Sequence, residues 1–300
     1  MRFIRAAFSL DRMVGMLLLI GLLVLKVWDP NPVKLLRLKT FDFYQQTKPR
    51  EIPPMAQKPV VIIDIDETSL SKYGQWPWPR TLLAKLVQNL MIMKASLVAF
   101  DIVFAEPDRM NPSSVAETLV GLDEETRKKL LAAKSNDEVF AEVIRKSRVV
   151  LGQAGRSQKV EGQEDKEPIK KIVAELKSKG ARDPRTFLPK FPYVTRNIPV
   201  IENAAKGRFG GYGMFNAIPD SDGIIRNVPA FFVNNDVIYP SLAAEMLRIA
   251  TQRKNIVIRV DHAGIQKVGI HKQLTVETDR FGRIWPYFSL SDKDKYVSAS

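Results

Sequence analysis

The stretch PVVIIDIDETSLSKYGQWPWPR, residues 59–80, decides how the chain is read. Val60 to Ile63 form a short apolar run rich in β-branched residues, the composition of a strand covered on both faces. Asp64, Asp66 and Glu67 follow where that strand ends. Ligands of α/β sheets bind outside the carboxyl ends of the strands, so this acidic turn is the first candidate site. Trp76-Pro77-Trp78-Pro79-Arg80 then forms a stiff aromatic segment, because each proline fixes its own φ and biases its predecessor to an extended form.

Outward from it, Thr81 is the expected N-cap of a helix in which Leu82, Leu83, Leu86, Val87, Leu90, Met91 and Met93 recur at helical spacing. Residues 95–104, ASLVAFDIVF, read as a second buried strand. Strand, helix and strand predict a parallel, right-handed βαβ unit. Residues 107–122 read as a loop. Residues 123–147 read as helix, with a break at Asn136-Asp137, and residues 149–152 as a third strand. The polar stretch 153–191 is expected to be a surface insertion, with a helix over Pro168–Lys179. Further strands are expected at 209–217, 224–227, 230–233, 256–260, 273–277 and 284–288. Turns are expected at 219–223, 234–236 and 279–282, and a helix over 242–251 capped by Ser241. The fold class predicted is α/β: one mixed, mainly parallel domain with an antiparallel hairpin region, preceded by an N-terminal apolar helix.

Upstream, Met13 to Leu25 is an unbroken apolar run, and residues 13–28 are expected to form a transmembrane anchor after a cytoplasmic N-terminus at 1–12. No small-residue cleavage site follows it, and it has no polar face that would suit a soluble helix. Residues 29–58 read as an amphipathic juxtamembrane helix followed by a stiff linker holding Pro49, Pro53 and Pro54. The domain proper is placed at 59–300.

Composition narrows the chemistry. The 300 residues carry a formal net charge of +13, spread along the chain without a Lys/Arg block interleaved with aromatics, so nucleic acid is not an expected partner. There is no cysteine, which excludes disulfides and thiolate metal sites. Two histidines, His262 and His271, disfavour a His-rich metal centre or a Ser-His-Asp triad.

Asp64-x-Asp66-x-Thr68 after a strand also fits the first motif of magnesium-dependent phosphatases, with Asp64 as nucleophile and Asp66 as acid/base. The supporting Ser/Thr strand end and downstream acidic pair are missing, and the aromatic-proline segment is foreign to that pattern. Asp64, Asp66, Asp101, Glu106 and Asp108 could together hold a divalent cation; the competing reading has Asp66 and Asp108 capping turns while Asp101 bonds backbone or pairs with Arg80. Trp76 and Trp78 can stack a ligand or plug a core edge. Arg226 can pair with Asp222 or meet an anion. The ligand-facing candidates are thus Asp64, Asp66, Trp76, Trp78, Arg80, Asp101, Asp222 and Arg226, with no catalytic residue and no metal ligand assigned.

Five blocks in order, IDIDETSL (63–70), YGQWPWPR (73–80), VAFDIVFAE (98–106), GMFNAIPDSDGIIR (213–226) and YPSLAAEML (239–247), resemble the CHASE domain of the second type, a bacterial extracytoplasmic sensory domain. The resemblance runs from about Pro59 to the C-terminus and is poorest over 153–195. It implies a periplasmic sensor on an inner-membrane anchor, working as a homodimer for an unidentified small-molecule or protein signal. It also implies further membrane helices and a cytoplasmic output, most often an adenylate or guanylate cyclase, otherwise a sensor kinase. The family's glycine-rich segment, last strand and later membrane helices are not found before Ser300, so the chain is expected to be a fragment. The family offers no catalytic residues to carry over. A magnesium-dependent phosphatase and a non-catalytic periplasmic scaffold stand as the alternatives.

Overall fold

The computed structural model describes residues 10–54, 57–160, 173–207, 210–271, 274–289 and 296–300. The chain forms two compact units, Met1–Ile62 with Tyr287–Tyr296, and Ile63–Pro286 with Val297–Ser300.

The first unit is built on two helices. α1 (Leu10–Trp28) buries none of its residues. Its run from Met13 to Leu25 is apolar, but the helix also carries Asp11, Arg12 and Lys26. Among the described residues no helix is long and apolar enough to cross a membrane, so the transmembrane anchor expected at 13–28 is not supported. Residues 1–9 of the expected cytoplasmic N-terminus lie outside the described residues. α2 (Asn31–Thr47) starts behind Pro30, with Pro32 in its first turn where a missing N–H costs nothing. Its C-terminal end is held by residues 287–289. Gln45 accepts from the Phe288 N–H at 3.0 Å, and the Tyr287 hydroxyl donates to the Lys48 carbonyl at 2.6 Å. The Arg50 N–H donates to the Phe288 carbonyl at 2.8 Å.

β1 (Ile62–Asp64) leads into the second unit, which starts at Ile63, and its partner is β14 (Tyr296–Ser298). α3 (Glu67–Tyr73) and α4 (Arg80–Ile92) follow. β2 (Val98–Phe100) does not pair with β1, which corrects the expected βαβ unit. Its parallel partner is β3 (Val149–Arg156), in the register Val98 to Val149, Ala99 to Val150 and Phe100 to Leu151. The crossover runs through α5 (Pro112–Thr118), α6 (Glu124–Ala132) and α7 (Asn136–Lys146). The expected loop at 107–122 therefore contains a helix. The break at Asn136 holds, and its cause is a capping box: Ser135 accepts from the Glu138 N–H, and Glu138 accepts from the Ser135 N–H. β6 (Gly211–Met214) runs parallel on the other side of β3, and β5 (Tyr193–Thr195) pairs antiparallel with its last residues. The single turn α8 (Pro199–Ala204) packs on α7.

The core of this half is made by α4, α7 and β3. Leu83 and Val87 on α4, Phe140 on α7, and Val149 and Leu151 on β3 are all fully buried. Burying one such side chain contributes roughly 1.5–3 kcal/mol. Phe100, Phe104 and Phe140 meet edge to face, with centroids 5.3–5.6 Å apart.

The remaining strands are mostly antiparallel. β7 (Val228–Pro229) pairs with β13 (Arg283–Ile284). β8 (Phe231–Asn234) and β9 (Val237–Pro240) form a hairpin whose turn residues, Asn235 and Asp236, both have positive φ, 45° and 60°. Two positive φ values give the turn whose twist suits paired strands. α9 (Leu242–Ala250) is capped by Ser241 as expected. β10 (Ile256–Val260), β11 (Ile265–His271) and β12 (Leu274–Glu277) form a meander, and β4 (Val173–Lys177) adds to β10 in parallel. Residues 173–177 are thus strand, where a helix was expected; residues 168–172 of that expected helix lie outside the described residues. Residues 224–227 form no strand, and the last expected strand shrinks to Arg283–Ile284.

Candidate functional site

Asp66 sits at the N-terminus of α3, where the first helical N–H groups need acceptors. Its Oδ1 accepts from the Ser69 N–H at 2.9 Å and from the Ser69 hydroxyl at 2.8 Å. The Ser298 hydroxyl donates to the same oxygen at 2.8 Å. The neighbouring Ala299 N–H donates to the Asp64 carbonyl at 2.9 Å. One carboxylate therefore starts the first helix of the domain and fastens β14 beside β1. The bonds from the Ser69 N–H, the Ser69 hydroxyl and the Ser298 hydroxyl hold the Asp66 carboxyl below its ordinary value. Asp64 contributes its backbone to this clasp, while its residue surface is exposed.

Gly74 ends α3 at a φ of 93°, a value that favours glycine. The Trp78 indole N–H donates to the Gly74 carbonyl at 2.7 Å. Trp78 is only 2% exposed, sits edge-on to Tyr73 at 5.7 Å, and belongs to the core. Trp76 keeps 39% of its surface, 6.4 Å from the Trp78 ring. Of the two tryptophans, only Trp76 retains a face for a ligand.

Arg80 opens α4, so the expected Thr81 cap is replaced. Pro79 occupies the cap position without a side-chain bond, and Asp108 supplies the acceptor instead, taking the Arg80 N–H at 2.7 Å. The Arg80 side chain is turned inward and is nearly buried. Its Nε lies 3.5 Å from Asp137, its Nη2 donates to the Glu106 carbonyl at 3.3 Å, and its guanidinium covers the Phe104 ring at 4.5 Å. Burial draws the guanidinium below its ordinary value, opposed by Asp137 and Asp108. Asp137 also accepts from the Asp108 N–H at 3.0 Å and from the Asn111 amide at 2.7 Å. Asn136 donates to Asp108 at 3.0 Å. These bonds join the starts of α4, α5 and α7 in one buried polar node.

Asp101, expected to bond backbone or to pair with Arg80, takes no ion pair with it among the described residues; the carboxylate beside Arg80 is Asp137. Asp101 lies just beyond β2, and local desolvation raises its carboxyl above the ordinary value. Asp222 and Arg226 do pair, at 2.6 Å through Arg226 Nη2. Asp220 adds a contact at 3.2 Å, and Arg226 is 1% exposed. This arginine is spent on its own turn, which leaves little of it for an incoming anion.

The eight candidates therefore divide. Asp64 and Asp66 belong to the clasp, Trp78 and Arg80 to the core and the node, and Asp222 and Arg226 to a separate closed turn. Trp76 and Asp101 retain exposed surface. The five carboxylates that were candidates for a divalent cation do not gather: among the described residues no group of three or more His, Asp or Glu could hold a metal ion. Reading the sequence missed Ser298, Asn111 and Asp137. The capping-box spacing Ser135-x-x-Glu138 was a usable signal for the helix that places Asp137. Nothing local marked Ser298, which lies 232 residues from its partner.

No curated protein and no solved structure matches the chain. One family model does, that of the CHASE2 domain, over residues 14–300. With nearly the whole chain covered, and with the quoted blocks falling on the clasp, the node and the Arg226 turn, the chain belongs to the CHASE2 domain family of extracytoplasmic sensory domains.

Proposed function

We propose that this chain is the sensory part of a bacterial membrane receptor, with its domain in the periplasm or on the extracellular side, and that it regulates a cytoplasmic output, most often in this family a nucleotide cyclase. The observation that carries the reading is the family match over residues 14–300. α1 supports membrane attachment, since Met13 to Leu25 is uncharged and the helix buries none of its residues. Two copies act together. The signal is a small molecule or a protein, and Trp76 and Asp101 are the candidates that keep surface to meet it.

The clasp supplies a route for the signal. β14 is fastened beside β1 through Asp66, Ser298 and Ala299. A ligand that binds one arrangement of the domain better than another shifts the population between them. Such a shift is passed on as clasp closed or clasp open. The phosphatase alternative would need Asp66 as its acid/base, and Oδ1 of that residue is engaged by Ser69 and Ser298.

Topology tests the proposal. A reporter enzyme active only outside the cytoplasm is fused after Leu151, in β3. Activity in intact cells is expected, and a silent fusion with full-length protein present overturns the reading.

A further inference from the structure

We infer that α2 docks along a second copy of this chain through the seam Val33, Leu36, Thr40, Phe43 and Thr47. The inference rests on the two-copy reading above and names its surface. The five residues recur at alternating spacings of three and four, the repeat of a helix packed along a like helix. The seam is open. Leu36 is 69% exposed and Phe43 62% exposed, Thr40 and Thr47 are exposed, and Val33 is half-buried. Leu38, on the opposite side of the helix by the same periodicity, is buried. Residues 287–289 hold Gln45 and Lys48, and Tyr287 shares a cavity with Thr47 at the end of the seam, while Leu36, Thr40 and Phe43 stay exposed.

Three features fit a copy of the same helix. The Thr40 hydroxyl donates to the Leu36 carbonyl and the Thr47 hydroxyl to the Phe43 carbonyl, each at 2.8 Å. Both threonines thus spend their polar group on their own helix and can enter a dry contact without losing a hydrogen bond. The cations beside the seam are paired within the chain: Arg37 with Asp29 at 2.8 Å, and Lys39 with Asp42 at 3.9 Å. Two copies therefore approach without unpaired like charges flanking the contact. The seam also follows directly on α1, whose residues are unburied. α2 alone offers about 25 Å of contact, at 1.5 Å per residue.

The chain has no cysteine, so single introduced thiols report without background. The full chain, in vesicles of phosphatidylethanolamine and phosphatidylglycerol, is prepared as Phe43→Cys, Thr40→Cys and Leu35→Cys. Leu35 is exposed but lies off the seam. Oxidation is expected to join Phe43→Cys and Thr40→Cys into two-chain species several-fold more than Leu35→Cys, with native mass measurement showing two copies. Two copies with Leu35→Cys joined as well as the others would overturn the seam and leave the two-copy reading standing. One copy throughout would overturn both, and loss of vesicle binding in Phe43→Asp would then assign the stripe to lipid.

Discussion

Two arginines lie buried between pairs of carboxylates, and they are built differently. Arg226 meets Asp220 and Asp222, both within six residues, so its ion pair closes a single turn. Arg80 meets Asp108 and Asp137, which lie 28 and 57 positions away, so its contacts tie three helix starts together. The first is a local brace. The second is a tertiary joint, and the fold of the first half depends on it. The carboxylates differ as well: Asp137 is 4% exposed at its side chain, whereas Asp220 and Asp222 keep 10% and 17%.

That difference predicts the largest effect at Arg80. Arg80→Ala leaves Asp137 buried with no cation beside it, and breaking a buried pair this way costs about 3–5 kcal/mol. Chemical denaturation of the full chain reads the loss. Arg80→Met with Asp137→Leu removes both charges and is expected to recover part of it, because an uncompensated charge costs more than an absent pair. Arg226→Ala is expected to cost less, about 1–3 kcal/mol, since its carboxylates can reach water. Equal losses at the two arginines would erase the distinction between brace and joint.

The same contrast explains what was legible in the sequence. The Asp222–Arg226 pair was readable because both ends fall in one short turn. So were the Ser241 cap, the Asn235–Asp236 turn and the break before α7, all set by neighbours in sequence. Asp101 was read as bonding backbone or pairing with Arg80, because nothing local tells which of several acidic residues a crossover will deliver. The strand order failed for the same reason. β1 and β2 are close in sequence, yet β1 takes β14, and β2 takes β3 after three helices. β4 was masked by its charged residues Glu175 and Lys177, which suit a partly exposed edge strand as well as a helix.

Smaller effects are expected at the clasp, where the groups are nearer water. Asp66→Asn weakens an acceptor shared by the Ser69 N–H, the Ser69 hydroxyl and the Ser298 hydroxyl. The folded-state carboxyl is held below its ordinary value of 3.8. Its contribution is therefore fully present above that value and is lost as pH falls through the lower folded-state value. The stability gap between wild type and Asp66→Asn should be flat near neutral pH and close in acid. A gap that widens in acid would contradict the hydrogen-bonding described for Asp66. Ser298→Ala removes one hydroxyl from the clasp and is expected to cost the least, about 0.5–1 kcal/mol.

The central claim is that β14 is fastened beside β1 and that Asp66 is the fastening. Amide hydrogen exchange at Ala299, followed in the full chain and in Asp66→Asn, tests it most directly. The account predicts a protected Ala299 amide in the wild type and faster exchange in the variant, with the amides of Val150 and Leu151 in β3 unchanged. An Ala299 amide that exchanges freely in the wild type, or one indifferent to Asp66, would contradict it.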